Sequence, residues 1–444
     1  MSCYKTIYSK TLQRIIVVAE HARSEGKAGR SNITTYPIAD SFCTLRQLSW
    51  RIALATGSLL IQPLAQAQIV ADPQATREHQ PQVLLSTEQL PQVDIQTPSA
   101  AGVSVNEYRQ FDVGQEGALL NNSRKGAPTH TGGWVSGNPN LIRGEAQVIV
   151  NQINSSNPSQ LRGQIEVAGQ KADVILANPA GISVNGSGFI NAGKTWLTTG
   201  SPQLEHGVFN GVNVERGTVH IGERGLDVRN SDYAAIIAKA SKIDGPVQAG
   251  DRPLDVITGS NYVASDGKIT AKGGSNTGSA NTAIDTGQLG GMYGGSIRLI
   301  STDQGGGNYH YRYHGEDKGV ETTGDGALSV SASAGKLTVN AAKLNSGNNR
   351  VSLYGAKGID VTHGEIIDKE VTSSNHKGGG LFSRSRTRDY ESWESHQVKS
   401  SDITGDSVTL VADRGNINAT GSNIISEHGT LLHTNQGNII LKAG

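Results

Sequence analysis

One stretch holds acidic and imidazole side chains close enough in sequence to share a proton or a metal. Glu316, Asp317, Glu321 and Asp325 form its carboxylate grouping, and glycoside hydrolysis or acid–base chemistry on a sugar needs carboxylates converging on one face. Ahead of them His310 and His314 stand at i, i+4 with Tyr311 and Tyr313 between them, a spacing that would suit a metal on a helix. No His-Glu-x-x-His pattern accompanies them, and the alternation fits a strand or loop, so no metal ligand is assigned. The glycines of Gly290-Gly291-Met292-Tyr293-Gly294-Gly295 invite comparison with a phosphate cradle. No Gly-Lys-Ser/Thr follows, and they read as turns. Elsewhere the acidic residues are scattered. The stretch around Glu316 therefore reads as a solvated loop, with no catalytic residue and no cofactor.

Any such groups would have to be positioned by short strands. With 444 residues, 56 glycines, 5% aromatic and 18% charged residues, the composition argues for many strands and turns and against a large helical enzyme. Residues 1–67 carry 8 Lys and Arg against 3 Asp and Glu; of the chain's 39 of each sign, 31 basic and 36 acidic residues remain, a balance of −5. A mildly acidic chain gives no electrostatic case for nucleic acid. Cys3 and Cys43 both precede Gln68, so the part after it has no disulfide framework and no thiolate metal site.

The stretch from Asn138 to Gly200 sets the pattern. Alternating segments, Gln147 to Ile153 and Ile165 to Ala177, are separated by Asn-Pro corners at Asn138, Asn157 and Asn178. Pro presets a turn φ and Asn bonds its own backbone, so each corner is a specific turn. Farther on, Leu337 and Ile359 open equivalent apolar-polar-apolar triplets, and the same interval separates Ile417 from Ile439. That shared period, roughly 22 residues of three-residue strands and Gly/Asn turns, predicts a solenoid. If all 377 residues after Ala67 formed such coils, about 17 would stack into a rod of about 80 Å, an upper bound. Asp232 to Ala240, rich in Ala and led by Asp232, predicts a single short helix. Residues 265–289 read as a loop. Residues 68–105 read as an extended entry segment or irregular cap, and residues 68–130 could cover the first edge. From Lys369 to Lys399 an excursion of mixed charge interrupts the rhythm, and its two signs make it a poor phosphate tract. At the end the chain stops just after a strand, with nothing to cap it.

Export signals come first. Arg46 and Arg51, the apolar run Ile52 to Ile61, and Ala65-Gln66-Ala67 make a secretory signal with cleavage before Gln68. The run is about half of the roughly 20 residues needed to span a membrane. Ahead of it lies a basic amphipathic segment from Leu12 to Ala22, which alone would read as an ordinary helix.

These residues resemble the secretion domain of two-partner-secreted exoproteins, the group of filamentous haemagglutinin adhesins and contact-dependent inhibition toxins. The resemblance rests on the long signal region, Asn138-Pro139-Asn140-Leu141, Asn178-Pro179-Ala180-Gly181-Ile182, Phe189-Ile190-Asn191, Leu197-Thr198-Thr199-Gly200, Asp232-Tyr233 and Gln288 to Tyr293. Gly379 to Gly421 resembles a haemagglutinin repeat. One departure is Ala180, where the family usually has a second asparagine. The resemblance implies an all-β, right-handed parallel β-helix with a few extra-helical strands behind an N-terminal export signal. It also implies Sec export, a cognate outer-membrane β-barrel transporter, and location at the outer surface of a Gram-negative bacterium, with a host or neighbouring-cell receptor as a further partner and no nucleic acid. The expected divisions are an extended signal at 1–67, a secretion domain at 68–320 and the start of a repeat β-helix at 321–444. A non-enzymatic adhesin or toxin-delivery stalk is the expected function, and a secreted β-helix polysaccharide lyase or hydrolase is the competing one. Asn138 and Asn178 stand either as transporter contacts or as turns that only shape the solenoid.

Overall fold

The computed structural model describes residues 4–9, 14–19, 69–272, 284–286, 291–303, 308–311, 319–380 and 383–444, with backbone alone for 4–9, 14–19, 284–286, 308–311 and 365–397. The chain divides into two units, Met1–Leu64 and Ala65–Gly444. In the first, Tyr4–Ser9 pairs antiparallel with Arg14–Ala19. The segment that taken alone would read as a helix thus contains a strand, as β-branched Ile15, Ile16, Val17 and Val18 favour. Cleavage residues Ala65, Ala67 and Gln68 lie outside the described residues.

The second unit is a parallel β-helix. Each coil lays one short strand on each of three faces, and each strand pairs in parallel with its counterpart one coil on. One face runs through Val148–Ile153, Ala172–Ala177, Ala192–Thr198, Tyr233–Ala238, Pro253–Thr258 and Ser296–Ser301. A separate ten-stranded sheet runs from Ser159–Leu161 to Ile439–Lys442. In it Leu337 pairs with Ile359, and Ile417 with Ile439, so the repeat interval read from the sequence is one coil. Inward residues of all three faces form one continuous core, from Ile69 to Ala419.

The ten strands of that sheet mark fewer coils than the upper bound, because several coils carry excursions. Thr195 pairs with Ala234, and Leu254 with Ile297, each across an interval well beyond one ordinary coil. The extra length supplies Ser201–Glu205, Val208–Val214, Asn261–Ala264 and Ile269–Ala271, a four-stranded antiparallel sheet outside the helix. Its Phe209, Val212, Val214 and Val263 pack with Val150, Ile175, Trp196, Ala235 and Ile237 in a second core.

That second core overturns the helix expected at Asp232 to Ala240. Tyr233–Ala238 is a strand with Ala234, Ala235, Ile236, Ile237 and Ala238 all buried. Ala234, Ile236 and Ala238 face the inner core while Ala235 and Ile237 face the extra-helical sheet. A strand covered on both sides has no polar face, so its sequence loses the alternation that marks a strand. Two other expectations are corrected. The segment read as a loop contains the strands Ile269–Ala271 and Ile284–Thr286. Of the glycines read as turns, Gly291–Gly294 is a strand on the helix, with Met292 fully buried in the core.

The N-terminal segment covers the first coil with strands. Ile69–Ala71 runs antiparallel to Val103–Phe111, and Gln82–Leu85 antiparallel to Pro91–Asp94, which joins the helix beside Ala118–Asn122. An open sheet edge is thereby paired. On the last coils Ile425, Leu431, Ile439 and Leu441 are exposed.

Candidate functional site

The Asn-Pro corners at Asn138 and Asn178 share one bonding scheme. Asn138 precedes a 3-10 turn, Pro139–Leu141, and its Oδ1 accepts from the Asn140 N–H at 2.9 Å. Its Nδ2 donates to the carbonyls of Ile95 and Asn121, each at 2.9 Å. Both carbonyls belong to earlier turns of the chain. At Asn178, Oδ1 accepts from the Ala180 N–H at 2.9 Å, and Nδ2 donates to the Asn157 carbonyl at 2.9 Å and the Ser159 hydroxyl at 3.0 Å. Each asparagine caps its own turn with one end of its amide and ties that turn to the preceding coil with the other.

Both side chains are consequently buried, Asn138 at 2% and Asn178 at 0% exposure. Leu141 and Ile182 enter the core. Gly181 has φ +124°, and a Cβ there would lie 3.1 Å from the Thr218 carbonyl, so this corner needs glycine. Ala180 contributes its backbone N–H, so the departure from the family pattern leaves the turn's bond intact. Pro139 and Ile142 are exposed beside the first corner, Ile142 at 81%.

Around the Asn138 corner lies a groove of about 930 Å³, lined among others by Thr97, Val105, Pro139, Ile142, Arg143 and Leu204. Three parts of the chain meet there. Thr97 Oγ1 donates to the Asn140 carbonyl at 2.8 Å, and Ser99 Oγ donates to the Gly207 carbonyl at 2.6 Å. Cap, corner and extra-helical hairpin are therefore fastened together.

Three buried carboxylates are held by fixed partners. Glu166, 2% exposed, accepts from the backbone N–H groups of His130 and Thr131 at 2.7 and 2.9 Å and from the Thr131 hydroxyl at 2.7 Å. It anchors the loop of the Ala127–Val135 hairpin. Asp255 receives the Arg298 guanidinium through Nε at 2.8 Å and through Nη2, and the Tyr233 hydroxyl at 2.6 Å. Burial first, then the Asp255 charge, pushes the Tyr233 hydroxyl far above its usual range. Asp303, likewise buried, accepts from Lys239 at 2.6 Å and from the Ser260 N–H at 2.8 Å. These fixed donors make the three buried carboxylates anchors that tie separate parts of the chain together.

Most of the acid and histidine grouping falls outside the described residues. Glu316, Asp317, Tyr313 and His314 lie outside the described residues, and His310 is placed by backbone only, in the strand Asn308–Tyr311. Glu321 accepts from Asn345 Nδ2 at 3.1 Å. The structure does bring together a group the sequence reading missed, Asp406, Glu427 and His428, with candidate ligand atoms within 4.8 Å of one another. Asp406 and His428 are 22 residues apart, one coil, which is the signal that could have found them. The group is largely exposed.

Comparison with known proteins agrees with this architecture. Residues 67–330 match the TPS secretion domain family, and residues 2–37 match the Extended Signal Peptide of Type V secretion system. "Toxin CdiA" of Yersinia pestis is 42% identical over 344 residues, covering 76% of this chain and 10% of that protein. "tRNA nuclease CdiA-2" of Burkholderia pseudomallei is 35% identical over the same length, with the same coverage. The chain thus spans about a tenth of the length of these relatives. Among solved structures, the filamentous hemagglutinin secretion domain superposes with a TM-score of 0.51 at 24% identity, covering 85% of this chain and 99% of that one.

Proposed function

Because the chain belongs to the TPS secretion domain family and carries the extended signal peptide of type V secretion, we propose that it is the export and presentation module of a longer surface stalk, adhesive or toxin-delivering. It is a two-partner-secretion exoprotein, secreted to the outer cell surface of a Gram-negative bacterium. The divisions that go with this reading are an export signal at 1–67, a secretion domain at 68–320 and repeat β-helix at 321–444, with signal cleavage after Ala65-Gln66-Ala67 and before Gln68.

The observation that carries the proposal is the Asn138 corner. Its amide bonds the capping segment at Ile95 to the corner while Pro139 and Ile142 stay exposed at the groove. The cognate transporter would read the surface that Asn138, Asn140 and Leu141 hold in place, and Asn178, Pro179, Ala180, Gly181 and Ile182 would hold the coil beneath. The buried amides position and do not themselves touch the transporter. A receptor on a host or neighbouring cell would be met by the stalk, and the module itself would be non-enzymatic. Co-expression in cells with and without a cognate transporter tests this. Release should depend on the transporter, and undiminished release in its absence would overturn the reading.

A further inference from the structure

The excursion from Gly364 to Lys399 holds six basic and six acidic residues and looks neutral in sequence. Its fold sorts those charges. Gly364–Gly380 and Ser383–Lys399, each of 17 residues, pair antiparallel along their whole length as a two-stranded sheet of their own. Paired residues share a face and successive rows alternate faces. On one face the three rows nearest the turn are Gly379 with Arg384, Lys377 with Arg386 and Asn375 with Arg388. These rows place four cations and no acid. Asp389, Glu391, Glu370 and Asp368 fall in rows of the opposite face, and Glu394 and Glu365 lie nearer the base.

We propose that this end of the ribbon binds a linear acidic polysaccharide through Arg384, Arg386, Arg388 and Lys377. Same-face neighbours on a strand repeat about every 6.8 Å, so the three arginines form a line about 14 Å long, with Lys377 about 5 Å to the side. A line of charge matches a linear polyanion better than a flat surface or a compact anion. Three arginines out of four cations suit sulfate and carboxylate groups, which guanidinium meets with two parallel hydrogen bonds. Single-stranded nucleic acid fits less well, because the three cationic rows contain no aromatic residue on which bases could stack.

Binding of the purified chain to a sulfated polysaccharide such as heparin, with neutral dextran and single-stranded DNA as comparators, tests the proposal. Heparin should bind and weaken with added salt, and dextran should not bind. The triple variant Arg384→Ser, Arg386→Ser, Arg388→Ser should bind heparin at least about tenfold more weakly. Asp389→Asn with Glu391→Gln, on the other face, should bind no more weakly than wild type. Circular dichroism and melting of each variant establish that it is folded. Equal heparin binding by the folded triple variant would overturn the proposal. So would tighter binding of DNA than heparin, or heparin-independent self-association abolished by the same triple change, which would make a second copy the partner of this face.

Discussion

The side-chain amide of Asn138 lies 2.9 Å from the carbonyl oxygen of Ile95, 43 residues earlier, and joins the capping strands to the first Asn-Pro corner. Asn138→Ala leaves the Ile95 and Asn121 carbonyls without that donor, though Asn140 still reaches Ile95 at 3.1 Å. A loss of about 1–3 kcal/mol is expected. Ala180→Asn, where only the backbone N–H bonds, should stay within about 0.5 kcal/mol. Urea melts of both variants give the stabilities. Transporter-dependent release should fall more for Asn138→Ala than for Ala180→Asn, and equal release would remove the recognition role from this corner.

Coil stacking at the corners depends on glycine. A Cβ at Gly326 would sit 1.2 Å from the Gly295 carbonyl oxygen, while at Gly347 nothing lies nearer than 3.5 Å. Gly326→Ala must push two coils apart and should lower the melting temperature by several degrees, a cost of about 1–3 kcal/mol. Gly347→Ala should leave melting nearly unchanged. Similar melts for the two would mean that the coils can separate at little cost.

Two-sided burial makes its own prediction on the strand Tyr233–Ala238. Ile236→Ala and Ile237→Ala should each cost about 2–4 kcal/mol, since both side chains are buried, one against each core. On a strand with a solvent face the outward substitution would be mild. A small effect of Ile237→Ala, measured by denaturant unfolding, would mean that the extra-helical sheet is only loosely packed on the coil.

This strand also shows where sequence reading stops. Leu337 and Ile359, or Ile417 and Ile439, disclose the coil because their outward neighbours are polar and no excursion interrupts the period between them. At Ala234 to Ala238 the outward side is covered by residues from excursions, such as Val263, that lie beyond the strand's own neighbourhood. A local apolar run cannot reveal what covers it. The Asn-Pro corners were visible as turns. Their cross-links to Ile95 and Asn157 were not, since a side-chain amide shows its partners only when the coils are stacked. Ribbon charges looked mixed for the same reason, because pairing register sorts them.

Alkaline pH should loosen the fold through two tyrosines. Tyr108 is fully buried with its hydroxyl 3.0 Å from Asn151 Oδ1, and burial pushes its ionisation well above the usual value; Tyr233 is shifted the same way by burial and Asp255. A raised folded-state value means that the folded chain keeps a proton the unfolded chain gives up. The resulting stability is intact below about pH 10, the unfolded value, and declines as pH rises beyond it. Melting followed from about pH 8 to about pH 11.5 should show that decline, and Tyr108→Phe should reduce it. Tyrosinate absorbance from both residues appearing near about pH 10 in the native state, as for an exposed tyrosine, would contradict the burial argument.

Excision of the ribbon tests the coil as the unit of construction. Ile359 pairs with Ile417 across an interval that exceeds an ordinary coil by the length of the ribbon, Gly364 to Lys399. Gly364 and Lys399 are paired, so His363 and Ser400 emerge side by side. Next to that join, Asn340 Nδ2 donates to the His363 carbonyl at 2.9 Å and Ser401 Oγ to the Thr362 carbonyl at 2.7 Å, and neither bond involves the ribbon. Joining His363 directly to Ser400 should therefore preserve the parallel pairing and change the melting temperature by no more than a few degrees, because loop length enters stability only logarithmically. The excised chain should also lose heparin binding while remaining transporter-dependent in release. A collapse in melting temperature would mean that the ribbon holds its two coils together.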